Sequence, residues 1–486
     1  MYSVEGKSIL ELQRAMSEGE VTSKELVMLY MERIRKYDHD GPNLHSVMQI
    51  NQDARFIAEA MDRERALKGP RGPLHGIPIL LKDYINTKDK MTTSAGCYSL
   101  RNHYAADDAF LVKKLREAGA VILGKTNMSE FGRSIATKTV DGYSTLGGYV
   151  KNPYDLKAFV AGSSTGSAVA AISSFAAAAV GTECEGSIIW PALHNGCVGV
   201  KPTRGTISRE GIIPIGSQDT PGSMGRTVED CAILLGAMVG EDPEDPATYC
   251  TNHLVFQDYT QFLNLENISK LRIGINRAQG KLQYTAEQME LFERAIDVLR
   301  GLGATIIDGC DILNVYALDF ADRPISIHEM KANVNAYLSR SCALPEFNTL
   351  NDLILDNYAH RKDAIRYGQD FFETVENTTS GTHTEPKYFD EMKRVYDYAG
   401  KNGVEKLMGE HQLDILLCPG YMDIAAIMGY PAILVPIGYT QDGLPFGASF
   451  VGLPFTEPVV FKAAYAYEQT AKVLRLPDLD SLLERA

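Results

Sequence analysis

Hydrophobic positions in the first part of the chain recur at helical spacing. In TSKELVMLYMERIRKY, residues 22–37, apolar side chains fall three or four positions apart. Thr22 precedes them as an N-cap residue, and Glu25 stands three positions later, where it completes a capping box. The pattern predicts a helix here and a helical N-terminal part over residues 1–69.

Beyond residue 70, short apolar runs alternate with longer helical patterns. HGIPILLKDYI at 75–85 contains a run typical of a buried strand, bounded by Gly and Pro. Residues 107–127 indicate a helix that ends near Gly119, followed by the strand AVILGK. The order of strand, helix and strand returns at 271–308, in LRIGINR, AEQMELFERAIDVLRGLG and ATIID. This alternation predicts an α/β fold.

The part of the chain over 241–411 is more polar and less regular, and we interpret it as a variable insertion. Apolar runs resume after residue 412 in LDILLCP, PAILVPIGY and GASFVGLPF. The sequence shows no internal repeat and no Pro-rich linker. We therefore expect a single large domain over 1–486 with a mixed central β-sheet flanked by helices. Its core would comprise residues 70–240 together with the strands and helix of 412–486.

Small residues are concentrated on either side of an alanine-rich segment. AGSSTGSA occupies 161–168, GTECEGSIIWPA occupies 181–192, and AVAAISSFAAAAVG spans 168–181. A flexible Gly/Ser linker is one interpretation of such composition. A linker would lead into a new domain, whereas this segment continues as a small-residue helix that must pack closely on other structure. We interpret it as a buried helix between two tight turns, where glycine lets the backbone approach a substrate.

Composition narrows the classes of function. The chain has 486 residues, of which 45% are hydrophobic and 23% charged, and its formal net charge is -14. Nucleic acids and anionic membranes attract clustered Lys and Arg, and no such cluster occurs in the sequence. We therefore expect a small-molecule substrate, no nucleic-acid or membrane partner, and either a monomer or a homodimer.

Cysteine usage and the first residues bear on the compartment. Eight cysteines are scattered without the close pairs of a zinc site, which favours reduced thiols. Glu5 and Glu11 stand where an export signal would need a basic start and an unbroken apolar run. The small-apolar run at 168–181 is too short to cross a bilayer. We expect a cytoplasmic protein.

Five motifs of this chain together resemble the amidase signature family. They are GPLHGIPILLKD at 72–83, AGSSTGSA at 161–168, GTECEGSIIWPA at 181–192, GVKPTRGTISREGIIPIGSQDT at 199–220 and GYPAILVPIGY at 429–439. The likeness is nearly continuous over 72–240 and returns at 412–470. GTECEGSI, GIIPIGSQDT and YGQDFF also look like a peptide-amidase-like branch. The resemblance implies the amidase signature fold and amide hydrolysis without a cofactor.

The resemblance also implies a catalytic triad of two serines and one lysine. Carried over position by position, the lysine is Lys82 in LLKD and the nucleophile is Ser187 in EGS. The second serine, which the family holds in a cis peptide, is Ser163 in GSS. The separation of the two serines is the one that the family pattern requires, and it favours Ser163 over the neighbouring Ser164 and Ser167.

The oxyanion hole of the family would be formed by backbone N–H groups of the turn that carries the nucleophile: Cys184, Glu185, Gly186 and Ser187. A serine hydroxyl is a weak nucleophile until a base takes its proton, and a lysine can be that base only when it is neutral. Lys82 directly follows the apolar run IPILL, which would desolvate the amine and lower its pKa. Ser163 would relay the proton from Ser187 to Lys82.

Three other chemistries compete with this triad. His194 follows the nucleophile closely and could belong to a Ser-His-Asp triad, but the serine lacks a surrounding GxSxG motif. Cys184 could be a thiol nucleophile, but the charge of Glu185 beside it would raise the pKa of the thiol. His328 and Glu329 lack the spacing of a metal-binding HExxH motif. We expect no metal.

Two functions stay open. The first is a free-standing amidase that hydrolyses a small-molecule or peptide carboxamide, through an acyl-enzyme, to a carboxylic acid and ammonia or an amine. The second is the amidase subunit of a tRNA-dependent amidotransferase, which works only with partner chains. ECEGS and SQDT differ from that subunit group and favour the first. The presence of all three triad residues disfavours a catalytically inactive binding module.

Overall fold

A mixed β-sheet of eleven strands forms the centre of the computed structural model, and two short strands form a separate hairpin among the residues described. The structure describes residues 2–249, 253–278, 283–312, 324–341 and 346–485. The strands are β1 (Val47–Ile50), β2 (Pro78–Lys82), β3 (Val121–Thr126), β4 (Tyr143–Ser144), β5 (Gly148–Tyr149), β6 (Ala178–Glu183), β7 (Val198–Lys201), β8 (Thr220–Gly225), β9 (Arg272–Ile275), β10 (Thr305–Ile307), β11 (Ile415–Pro419), β12 (Ala432–Tyr439) and β13 (Pro445–Val451).

Helices pack around this sheet. They are α1 (Ile9–Glu18), α2 (Ser23–Arg33), α3 (Ala54–Lys68), α4 (Phe110–Glu117), α5 (Thr165–Ile172), α6 (Ile189–Asn195), α7 (Val228–Met238), α8 (Ala286–Gly301), α9 (Pro324–Ser341), α10 (Leu350–Ala359), α11 (Arg361–Ala364), α12 (Asp370–Thr378), α13 (Pro386–Val395), α14 (Glu405–His411), α15 (Asp423–Met428), α16 (Glu457–Ala471) and α17 (Leu479–Arg485). Segments of π-helix extend α2 over Ile34–His39 and α13 over Tyr396–Val404. The prediction of a large α/β domain with a mixed sheet and flanking helices is confirmed.

The order of the strands places the functional segments side by side. Across the sheet the order is β1, β3, β2, β6, β8, β7, β12, β13, β11, β9 and β10. Strands β3, β2 and β6 are mutually parallel neighbours, and β8 runs antiparallel to β6. The carboxyl ends of parallel strands meet at one edge of a sheet, where α/β proteins commonly bind ligands. Lys82, the last residue of β2, and the turn after β6 therefore lie at the same edge.

The alanine-rich segment divides into a helix and a strand. All residues of α5 are buried, and the chain turns after it before entering β6 in the middle of the sheet. A Cβ at Gly166 of α5 would lie 2.3 Å from the carbonyl oxygen of Ser46 and 2.4 Å from that of Asn127. The buried helix between two turns is confirmed, but it is shorter than the whole small-residue run, because the later alanines form β6 between β2 and β8.

Two expectations about the outer parts of the chain need correction. Residues 1–69 are not wholly helical, because Val47–Ile50 forms β1 and pairs antiparallel with β3 at one end of the sheet. The segment 241–411 is not wholly an insertion outside the sheet, because it supplies β9 and β10, and β9 pairs with β11. The predicted strand, helix and strand at 271–308 are present as β9, α8 and β10.

Three helices outside the sheet share a small hydrophobic cluster of their own. Ile325 of α9, Tyr388 and Val395 of α13, and Ile427 of α15 are buried against one another, with Met428 packed beside them. This cluster is separate from the main core, which surrounds the sheet. We call α9, α13 and α15 the cap.

Candidate active site

Lys82 is fully buried and its amine is held in a fixed direction. Its Nζ donates to Ser163 Oγ at 2.7 Å, to Thr182 Oγ1 at 3.0 Å and to the carbonyl oxygen of Thr182 at 3.2 Å. Burial lowers the pKa of Lys82 from 10.5 to about 7, against the opposing charges of Asp219 and Glu183. The amine is therefore largely neutral at slightly alkaline pH and lies within reach of a serine hydroxyl.

Ser163 is the serine of the Gly/Ser motif that meets this amine. It follows a cis peptide bond between Gly162 and Ser163, and its carbonyl oxygen accepts from the backbone N–H of Ser129. The neighbouring hydroxyls are used elsewhere. Ser164 Oγ donates to the carbonyl oxygen of Thr182, and Ser167 Oγ donates to that of Val180. The structure thus brings Lys82 together with Ser163 rather than with either neighbouring serine.

Ser187 lies on the turn between β6 and α6, beside the Gly/Ser motif. Its carbonyl oxygen accepts from the backbone N–H of Ser164 at 3.0 Å. Ser163 and Ser187 both line a cleft of about 360 Å³ at the edge of the sheet. The cleft is lined by Tyr84, Gly132, Ser163, Thr182, Cys184, Glu185, Ser187, Ile215, Asp219 and Ser326. All three predicted triad residues therefore meet at or directly behind this cleft.

The turn that carries Ser187 is fixed by backbone geometry. Gly186 has φ 90°, and a Cβ there would lie 2.4 Å from the ring of Tyr421, so only glycine fits. Glu185, in contrast, is not in the left-handed region, and a glutamate at that position needs no unusual backbone. The buried carboxylate of Glu183 accepts from the N–H groups of Ile188 and Ile189 at 2.7 and 2.9 Å, which anchors the turn to the start of α6.

The competing residues occupy other settings. His194 lies at the end of α6 against Trp190, with 4.4 Å between the ring centroids, and burial lowers its pKa to about 4. It is not among the residues that line the cleft. Cys184 does line the cleft, and its Sγ lies 3.8 Å from Gln218 Oε1.

The expectation of no metal rests on sequence spacing, and the two residues weighed for it make contacts of other kinds. Glu329 accepts from Ser217 and from the hydroxyl of Tyr388, while His328 lies 3.8 Å from Glu385. Within the described ranges no three His, Cys, Asp or Glu side chains form a group that could hold a metal ion.

Sequence reasoning missed several residues of the cleft. Thr182 precedes Glu183 in GTECEGS, and its carbonyl and hydroxyl oxygens both accept from Lys82. Asp219 and Tyr84 line the cleft, and the ring centroid of Tyr84 lies 5.1 Å from Lys82 Nζ. Both lie inside or next to quoted motifs, but only the strand order shows that they face the same space. Ser326 comes from the cap, where no motif pointed to a functional residue.

Comparisons with known proteins agree with this architecture. Residues 25–425 match the family model described as Amidase, and the chain belongs to the amidase family. It is a hydrolase that acts on amide C–N bonds. The native peptide amidase from Stenotrophomonas maltophilia is 39% identical, with a TM-score of 0.93 over 98% of this chain and 99% of that chain.

Two curated relatives extend the comparison. A probable amidase of Arabidopsis thaliana is 39% identical over 429 residues, which cover 86% of this chain and 80% of the relative. The amidotransferase chain of Halorhodospira halophila that acts on glutamyl-tRNA(Gln) is 39% identical over 304 residues, which cover 62% of this chain and 60% of that relative. Among the residues that the structure describes, no helix combines the length and the apolar character needed to cross a membrane.

Proposed function

We propose that this chain is a free-standing serine amidase that hydrolyses a small-molecule or peptide carboxamide. The observation that carries the proposal is the 2.7 Å hydrogen bond from the buried amine of Lys82 to Ser163 Oγ, in the cleft that Ser187 also lines. In this assignment Ser187 is the nucleophile, Ser163 the proton relay and Lys82 the base. The chemistry uses only side chains and backbone N–H groups, and no cofactor takes part.

The first half-reaction forms an acyl-enzyme. Ser187 Oγ attacks the carbonyl carbon of the amide, its proton passes to Ser163, and the proton of Ser163 passes to neutral Lys82. The carbonyl oxygen becomes an oxyanion, which we assign to the backbone N–H groups of the turn at 184–187. When the C–N bond breaks, the nitrogen takes a proton from Ser163, which regains one from Lys82. Ammonia or an amine leaves, and the acyl group stays on Ser187.

The second half-reaction repeats these steps with water. Water gives a proton through Ser163 to Lys82 as it attacks the ester carbonyl carbon, and the resulting oxyanion occupies the same turn. Collapse of this intermediate breaks the bond to Ser187 Oγ, which recovers its proton from Ser163. The carboxylic acid is released, and Lys82 returns to the neutral state that starts the cycle.

The charge of the cleft supports a neutral carboxamide as the substrate. Glu185 and Asp219 line it, whereas no Lys or Arg is found among the described residues of its wall. A substrate with a carboxylate near the scissile bond would therefore meet repulsion and no ion-pair partner. The name of the peptide amidase to which the chain is similar points in the same direction.

The alternative function is the amidase component of a tRNA-dependent amidotransferase. The similarity to the amidotransferase chain from H. halophila covers 62% of this chain, whereas the similarity to peptide amidase covers 98%. Coverage of nearly the whole chain favours a protein that acts without partner subunits.

The test is ammonia release by the purified single chain from simple amides and from peptides with a C-terminal carboxamide. We expect turnover without any partner protein, and none in the Ser187→Ala variant prepared in the same way. A chain that is folded but inactive on every amide, and that gains glutaminase activity only with amidotransferase partner subunits, would support the alternative.

A further inference from the structure

Asp219 stands at the point where the cleft meets the base. It immediately precedes β8, whose first residues pair with the end of β6: Thr220 with Glu183 and Pro221 with Thr182. Thr182 is the residue whose two oxygens accept from Lys82. The register of these strands therefore places Asp219 beside the end of β6, on the side of the cleft that Ser163 and Thr182 also line.

The carboxylate of Asp219 is held rigidly. One of its oxygens, Oδ2, accepts from the backbone N–H of Ile215 at 2.6 Å and from that of Gly216 at 2.9 Å. The side chain is only 9% exposed. Because both bonds go to the same oxygen and come from backbone groups of one turn, the carboxylate has a fixed position at the wall of the cleft.

Other charges near Asp219 have partners of their own. Arg209 forms an ion pair with Asp245, at 2.6 Å between Nη2 and Oδ1, and also donates to the carbonyl oxygen of Ser217. Glu329 accepts from the backbone N–H and the hydroxyl of Ser217. The charge of Arg209 is therefore compensated mainly by Asp245, and the negative charge of Asp219 is left to act across the cleft.

The groups that face Lys82 differ in what they can do for it. Glu183 is bound to the N–H groups of α6 and also faces the buried Lys201. Cys184 is a thiol, and the ring of Tyr84 lies 5.1 Å from Nζ. Asp219 has the largest effect of the charges that act on the amine. Among these neighbours, it is the carboxylate best placed to respond when Lys82 gains a proton.

We propose that Asp219 is a positioning residue that stabilises the ammonium form of Lys82, which arises each time a serine or water proton reaches it through Ser163. The proposal rests on the proposed function, because it needs Lys82 as the base. Burial disfavours any charge on Lys82, so the proton transfer creates an ion in an apolar setting. A fixed carboxylate nearby lowers the free energy of that ion without reorganising.

The protonation states of the two groups are compatible with this role. Burial raises the pKa of Asp219 to about 6 and lowers that of Lys82 to about 7. Above pH 7 the carboxylate is therefore ionised while the amine is neutral and ready to accept a proton. Since an anion raises the pKa of a nearby amine, removing the charge of Asp219 must move the titration of Lys82 to lower pH.

The test compares the pH dependence of kcat/KM in the wild-type chain and in Asp219→Asn. The asparagine side-chain oxygen can still accept from the N–H groups of Ile215 and Gly216, so the turn is retained. We expect the acid limb to move down by about one pH unit. The alkaline plateau should fall by about threefold or more, because a weaker base accepts the proton less readily. Glu185→Gln, which removes a carboxylate from the same cleft, is the control and should leave the position of the limb unchanged.

A loss of rate in Asp219→Asn with the limb at its wild-type position would show a purely structural role and overturn the proposal. A limb that moves equally in Glu185→Gln would overturn it as well, because the effect would then belong to the net charge of the cleft. If asparagine prevents folding, Asp219→Ser supplies the same comparison. A wild-type limb that persists in Lys82→Met would instead contradict the assignment of the base, which is a failure of the proposed function.

Discussion

Replacing Lys82 by Met is expected to stabilise the folded chain by an amount that depends on pH. In the unfolded chain the amine titrates near 10.5, and in the fold its pKa is about 7. Between these pH values folding must remove a proton from Lys82. This costs about 1.4 kcal/mol for each pH unit below 10.5. The cost is absent above pH 10.5, grows as the pH falls, and is constant below pH 7, so the wild-type chain loses stability from this group on acidification.

The magnitude follows from the same two pKa values. The cost of neutralising Lys82 is about 2 kcal/mol at pH 9 and about 4 kcal/mol at pH 7.5. Met keeps the length of the stem but loses the hydrogen bonds to Ser163 and Thr182, which offsets part of the gain by about 1–3 kcal/mol. That offset does not change with pH. The gain of Lys82→Met should therefore be about 2 kcal/mol larger at pH 7.5 than at pH 9.

The assay is urea unfolding of both proteins at several pH values between 7.5 and 9. Lys157→Met is the matched control, because Lys157 is exposed and its replacement should give no trend with pH in this range. If the difference in the free energy of unfolding between wild type and Lys82→Met were the same at pH 7.5 and pH 9, folding would not neutralise Lys82. The mechanism that uses it as a neutral base would then be refuted.

Three further predictions concern the reaction and its turn. A serine-directed phosphonate should label the wild-type chain but not Ser187→Ala, and mass spectrometry that locates the adduct on any other residue would contradict the nucleophile. The kcat/KM of the wild type should rise with pH through about 7, and Lys82→Met combined with Ser163→Ala should lose much less than the product of the single losses, since the triad acts as a unit; multiplicative losses would argue against the relay. Gly186→Ala should lower kcat by about a hundredfold or more, because a Cβ at φ 90° meets the ring of Tyr421 and displaces the turn; near-normal turnover in a steady-state assay would show that the turn tolerates movement.

The sequence predicted those parts of the fold whose patterns are local. Strands β2, β3 and β11 to β13 follow apolar runs bounded by turn residues, and the capping box at Thr22 and Glu25 begins α2 as expected. Strand β1 was missed because it is four residues long and its pairing with β3 depends on a partner far along the chain. The boundary between α5 and β6 was missed because alanine is compatible with both a helix and a closely packed strand.

The candidate site shows a similar division. Lys82, Ser163 and Ser187 stand in motifs that can be recognised one at a time, and the structure brings these motifs to one edge of the sheet. Asp219 lies inside a recognised motif, yet its relation to Lys82 depends on the pairing of β8 with β6, which no local pattern encodes. Ser326 reaches the cleft from the cap, whose helices approach it only in three dimensions.

The separate hydrophobic cluster of the cap divides the molecule into parts that can change independently. The proton-transfer groups lie on β2, β6 and the adjoining turns, inside the main core, whereas Ser326 belongs to helices held together by Ile325, Tyr388 and Ile427. Substitutions within the cap can thus reshape one wall of the cleft while the core that fixes the reactive groups is preserved. A protein built in this way can acquire new amide substrates through its cap and retain a single chemistry, which makes the cap the natural target for directed evolution of specificity.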